Sequence, residues 1–140
     1  MPRTNNKVDP LFLSAILPLF FVIFLLIVFV SSLVFESNIW SELALHPRMV
    51  SYFYTSFTFP ILHANFSHFL NNASALIILG TLLRYFHYKS SVLIFAIIFL
   101  LHGPLTFFIA SGGRHVGASG IIFGLASFLL FNGIWSKNRA

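Results

Sequence analysis

The chain has 140 residues, 58% of them hydrophobic and 8% charged, with 19 Phe and a mean hydropathy of +0.91, more apolar surface than a soluble domain of this length can hide. The net charge of +5 comes from eight Lys/Arg against three Asp/Glu, and the basic residues are scattered rather than clustered, which argues against a nucleic-acid partner. With no cysteine in the chain, disulfides, thiol nucleophiles and thiolate metal sites are excluded, so covalent chemistry falls to Ser, Thr, Lys, Asp/Glu or His.

The first predicted element is an apolar run from about Leu11 to Phe35, with Pro18 near its start. No small-residue cleavage site follows it, so it reads as a retained membrane helix rather than a secretory leader. Next comes Glu36 to Asn65, too polar at Glu36, Glu42, His46 and Arg48 to cross hydrocarbon and too greasy over MVSYFYTSFTFPIL to float in water. Such a mixture suits an interfacial segment, and Pro60 limits any regular helix through it. Three more apolar runs follow, at about 66–86, 92–109 and 118–135. Each approaches the length of about 20 residues that a helix needs to span a bilayer, the last two as short, nearly upright spans. The predicted class is therefore an all-α membrane protein, one domain over 1–140 with four transmembrane helices.

With four spans, Arg3, Lys7, Arg84, Lys89, Lys137 and Arg139 share one side, against Arg48 and Arg114 on the other. Basic residues favour the cytoplasmic side, so both termini are expected there. The aromatic loop and SGGRHVGASG then share the outer face, which brings His63, His68 and Asn72 to a membrane depth similar to that of Ser119.

In HANFSHFLNN, His68 and Asn72 stand at i and i+4 and share one helix face. Asn71 is a step round the helix, and His63 falls off that face or before the helix. The pair can be plain interhelical hydrogen-bond partners, but polar groups inside a span face the bundle interior and mark functional sites. In GASGIIFG, Gly120 and Gly124 make one GxxxG step, and Gly113 with Gly117 another, the pattern of close helix packing, with Ser119 bonding back to its own backbone. The functional alternative needs Ser119 accessible near a helix start, where unpaired backbone N–H groups can stabilise a negative oxygen. Both readings can hold at once.

Joined, the two motifs resemble the rhomboid family of intramembrane serine proteases. The resemblance runs from about Phe57 to Phe131 and rests on His63, His68 and Asn72 in HANFSHFLNN, and on Gly117, Ala118, Ser119 and Gly120 as the GxSG motif. It implies that Ser119 is the nucleophile attacking a peptide carbonyl in the transmembrane segment of a membrane-protein substrate. His68 and Asn72 would line the oxyanion site beside the Ser119 N–H, such donors being worth about 3 kcal/mol each. His63 would tie down the aromatic loop, Phe123 would stand where the family sets an aromatic ring against the catalytic histidine, and Gly124 would let that histidine approach. No cofactor or metal is implied; His63 and His68 lack companions at ligand spacing. The expected location is a multi-pass protein of a bacterial inner membrane, and the sequence leaves substrate identity and oligomeric state open.

Two departures stand beside these matches. Tyr54 and Thr55 occupy the place of a Trp-Arg pair common in the family's outer loop, and the family's general-base histidine motif, which belongs to a sixth membrane helix, does not occur. The resemblance thus predicts the N-terminal portion of a rhomboid protease ending after the fourth helix. His115 is four residues before Ser119 in a stretch unsuited to a helix. His102 reads as a structural histidine satisfied by a backbone loosened at Pro104, and His46 and His87 as interfacial. The alternatives are a non-catalytic rhomboid-like protein that binds transmembrane segments, and an unrelated small membrane subunit.

Overall fold

The computed structural model describes residues 9–35 and 38–137. Arg3, Lys7, Glu36 and Arg139, and the side chain of Lys137, which entered the orientation and loop arguments above, lie outside the description. The elements are α1 (Pro10–Val34), a single turn α2 (Ile39–Glu42), two 3₁₀ stretches (Val50–Phe57 and Phe59–Ile61), α3 (Phe66–Phe86), α4 (Ser91–Ile109) and α5 (Ser119–Lys137). No β-strand occurs among the described residues. α1, α3 and α4 are long and apolar enough to cross a membrane, and α5 is a shorter apolar helix over Ser119–Trp135. The chain is an all-α integral membrane bundle.

Local chemistry explains the helix starts. Asp9 accepts a hydrogen bond from the Leu11 N–H at 2.8 Å and Pro10 opens α1, an acidic cap followed by a residue whose missing N–H costs nothing there. Asn65, in extended conformation, accepts the His68 N–H at 2.8 Å and fixes where α3 begins. Pro18 stays inside α1 and its ring fits against Gly80 of α3, where a Cβ would come within 2.8 Å of it.

α3 lies between α1 and α5. The core is built from Leu25 and Phe29 of α1, Phe69 and Leu76 of α3, and Ile121 and Leu125 of α5, with Phe29 and Phe69 stacked at 5.4 Å between ring centroids. Outward faces stay apolar: Phe12, Phe20, Phe108 and Phe131 are exposed, as membrane helices require when lipid replaces water.

The aromatic segment does more than lie at an interface. It packs on the C-terminal half of α4, with Phe53 edge-on to Phe107 at 5.2 Å and the Ser56 carbonyl set directly over Gly103, where a Cβ would collide with it. Leu45, Phe59 and Phe107 form a second, small core. Arg48, in the left-handed region at φ 61°, donates from its backbone to the Phe107 carbonyl and from its guanidinium to the Ala110 carbonyl at 2.8 Å. These carbonyls end α4 without helical partners, so the cation caps them.

One expectation is corrected here. Gly113 and Gly117 are not a helix-packing step: both lie in the connection before α5 with φ of 105° and 113°, a backbone that glycine adopts without penalty. Gly120 and Gly124, in contrast, do face a neighbouring helix. Gly120 receives the His102 ring, and a Cβ on Gly124 would lie 2.6 Å from Ile98, both residues of α4.

Candidate functional site

α3 and α5 begin at the same end of the bundle, where His68 and Asn72 of α3 meet Gly117 in the connection before α5. His68 is half-buried and Asn72 is buried, one turn apart on the face of α3 that meets the connection before α5. Asn71 is exposed. A Cβ on Gly117 would lie 2.6 Å from His68 Cε1 and Nε2 and 3.2 Å from Asn72 Nδ2. The imidazole and the amide thus press on backbone two residues before Ser119, and only a glycine leaves them room. The left-handed turn at Gly117 then swings the chain into α5, with Ala118 fully buried and its carbonyl accepting the Ile122 N–H at 3.1 Å.

Ser119 opens α5 and is exposed. No hydrogen bond from its hydroxyl back to the helix is formed, unlike Ser14, Ser31 and Ser74, each of which bonds the carbonyl four residues before it. Its N–H lies in the first turn, where donors have no partner within the helix. Phe123, one turn on, is 72% exposed, so Ser119 and Phe123 head an open stripe of α5 that continues through Leu130 and Ile134. Gly120 and Gly124 are turned away from that stripe, toward α4.

The buried Asn72 Nδ2 has no hydrogen-bond partner. An unpaired buried polar group costs about 1–3 kcal/mol; Ser56 Oγ, Thr81 Oγ1 and ring nitrogens of His63 and His102 share that condition. His63 sits outside α3, and its ring packs edge-on to His68 and Phe69 at 5.4 and 5.5 Å. Both its ring nitrogens are buried and unpartnered. Burial, and secondarily the nearby His68, lower its pKa from 6.5 to about 4, while the Ile61 carbonyl pulls weakly the other way without closing a hydrogen bond. His63 is therefore neutral at physiological pH.

The remaining histidines separate. His115 is not on a helix and its Nε2 lies 3.0 Å from the Ser111 carbonyl. His46 stacks on Tyr52 at 4.4 Å, and His87 ends α3 at the opposite end of the bundle. His102 departs from the expectation of a satisfied structural histidine. Its Nδ1 is buried without a partner, its backbone carbonyl accepts the Thr106 hydroxyl, and the ring packs between Phe59 and Gly120. That placement depends on the docking of α4 on α5, which no local pattern announces. Among the described residues no group of three or more His, Asp or Glu could hold a metal ion.

Comparison with known proteins adds an independent line. The family model described as a Rhomboid domain matches residues 50–140, well over half of the chain. An uncharacterized protein of Mycobacterium tuberculosis is 39% identical over 84 residues, which make up 56% of this chain and 35% of that protein. One of Mycobacterium bovis gives the same figures, and one of Mycobacterium leprae is 33% identical over 84 residues and 34% of its length. The match covers about a third of these curated relatives. No solved structure gave a significant match. Since the family match opens in the aromatic segment and continues through α3, α4 and α5, the elements that carry His68, Asn72 and Ser119, this chain belongs to the rhomboid family.

Proposed function

We propose that the protein is a rhomboid-type intramembrane serine endopeptidase that cleaves transmembrane segments of membrane proteins, with Ser119 as nucleophile and His68 and Asn72 as oxyanion donors. The observation that carries this reading is the contact of His68 and Asn72 with Gly117, which holds two side-chain donors against the turn that presents the serine. The exposed, unbonded hydroxyl and the unpartnered Asn72 amide support it. Ser119 Oγ attacks the scissile carbonyl carbon as its proton passes to a histidine base. The carbonyl oxygen becomes an oxyanion held by the Ser119 N–H, the His68 ring and Asn72. Collapse expels the amine, which takes that proton, and water then hydrolyses the acyl-enzyme.

The base is assigned to a segment outside these 140 residues that docks on the open stripe headed by Ser119 and Phe123, since the family keeps it on a later membrane helix. The Ser119 end is assigned to the outer face of a bacterial inner membrane, with both termini cytoplasmic, on the distribution of Lys and Arg. The test is reaction of the full-length gene product with a fluorophosphonate probe and a transmembrane substrate. Labelling and cleavage are expected, both abolished by Ser119→Ala and lowered about 100-fold by Asn72→Ala. A full-length protein that binds transmembrane segments yet neither labels nor cleaves them would be a non-catalytic member of the family.

A further inference from the structure

Ser119 stands between two glycines, and an imidazole occupies the place where each would carry a side chain. His68 of α3 presses on Gly117, and the Cδ2–Nε2 edge of His102, on α4, lies where a Cβ on Gly120 would collide with it. The contacts on Gly117 fix where the turn before α5 sits. They do not fix how far α5 is rotated about its own axis, because Gly117 precedes the helix with a φ of 113°. His102 supplies that second constraint, since Gly120 directly follows the serine in the first turn of α5.

The His102 ring has little room to swing aside. Phe59, itself 3% exposed, packs on it at 4.9 Å between ring centroids, and the Phe59 carbonyl accepts the Gly117 N–H at 2.9 Å. Gly117, Phe59, His102 and Gly120 therefore form a closed circuit of contacts around Ser119. The backbone under His102 is pinned as well, with the Ser56 carbonyl over Gly103 and the Thr106 hydroxyl donating to the His102 carbonyl at 2.8 Å. A displacement of about 1 Å from the reacting position costs about 100-fold in rate, and a modest rotation of α5 moves the Ser119 hydroxyl that far.

We propose that His102 is a positioning residue for Ser119: its ring, held between Phe59 and Gly120, sets the rotation of α5 and with it the direction of the nucleophilic hydroxyl. The inference rests on the protease reading. Ile98 is its internal control, one turn from His102 on α4 and in contact with Gly124, one turn from Gly120 on α5. Both side chains join the same two helices, but only His102 does so beside the serine.

The full-length gene product and its variants are compared by fluorophosphonate labelling rate and by turnover of a transmembrane substrate, each per folded molecule as judged by gel filtration in detergent. His102→Ala should lower labelling and kcat about tenfold or more and leave KM within about twofold, the split expected when a nucleophile is misaimed. Ile98→Ala, which also loosens the contact of α4 with α5, should leave labelling, kcat and KM within about twofold of the parent. Gly120→Ala should be as damaging as His102→Ala on its own, yet add little in the His102→Ala background, because the ring it strikes is gone. Should His102→Ala not fold, His102→Asn, which still withdraws the ring from Gly120, carries the same comparison. Equal losses in the His102 and Ile98 variants, or additive losses in the double variant, overturn the positioning role and leave the protease reading in place. A folded parent that neither labels nor cleaves overturns the protease reading and this inference with it.

Discussion

Leu45 and His115 exchange both of their backbone hydrogen bonds: the Leu45 N–H donates to the His115 carbonyl at 2.9 Å and the His115 N–H to the Leu45 carbonyl at 3.1 Å. They are 70 positions apart in the sequence, and they join the aromatic segment to the connection that delivers Ser119. A second tie lies nearby, where the Gly117 N–H donates to the Phe59 carbonyl at 2.9 Å. The segment between α1 and α3 is therefore a scaffold for the start of α5, docked on α4 below and paired with the incoming strand of chain above.

That arrangement separates two roles of Leu45. Its side chain is fully buried, so Leu45→Ala should cost about 2–4 kcal/mol through lost burial and the cavity left behind. Leu45→Pro removes in addition the N–H given to His115. Trypsin should then cut after Arg114 several-fold faster than in Leu45→Ala, because the loop opens locally more often. Equal cleavage rates in the two variants would show that the bridge does not hold the loop.

The glycines before α5 form a graded series. Gly112 has open space around its Cα and an ordinary φ; Gly113 has open space and a φ of 105°; Gly117 has a φ of 113° and His68 and Asn72 pressed against it. Substitution by alanine should be near neutral at Gly112 and cost about 1–2 kcal/mol at Gly113, from left-handed backbone alone. Gly117→Ala should cost about 2–4 kcal/mol, strain and collision together. Unfolding in detergent measures all three. Gly117→Ala should also lower fluorophosphonate labelling of the full-length protein, whereas Gly113→Ala should leave labelling of the folded fraction intact.

The helices were legible in the sequence because their signals are local. The apolar run at 66–86 coincides with α3, and the runs at 11–35, 92–109 and 118–135 fall within one or two residues of α1, α4 and α5. The facing of His68 and Asn72 followed from i, i+4 spacing on a helix that Asn65 caps. What escaped is set by tertiary contacts. Gly113 and Gly117 mimic a packing step by spacing, yet their backbone is left-handed; periodicity says nothing about φ. The 3₁₀ stretches around Pro60 are too short for a repeating pattern, and their docking on α4 through Ser56 and Gly103 joins residues 47 apart. The orphan nitrogens of His63 and His102 depend on what surrounds each ring after folding.

Arg48 offers a test of strain against capping. Its guanidinium donates to the Ala110 carbonyl at 2.8 Å, while its backbone sits at φ 61°. Arg48→Ala keeps the left-handed backbone and loses the cap, an expected cost of about 1–2 kcal/mol. Arg48→Gly loses the same cap but relieves a conformation that costs an L-residue about 1 kcal/mol. The glycine variant should therefore melt higher than the alanine variant. The reverse order would mean that the flexibility glycine adds to the unfolded chain outweighs the strain it removes.

His63 ties stability to pH in a direction fixed by its environment. Its pKa falls from 6.5 to about 4 on folding, so between those values the unfolded chain binds more protons than the folded one, and stability rises with pH. The contribution is whole above about pH 6.5 and is lost as pH falls toward 4, by about 2 kcal/mol at pH 5. Denaturant unfolding of the delipidated chain at pH 7 and pH 5 reads this difference. The loss should be smaller in His63→Gln, which carries no titratable ring. If His63→Gln loses as much stability as the parent between the two pH values, the acid sensitivity belongs to other groups and His63 does not titrate as its burial requires.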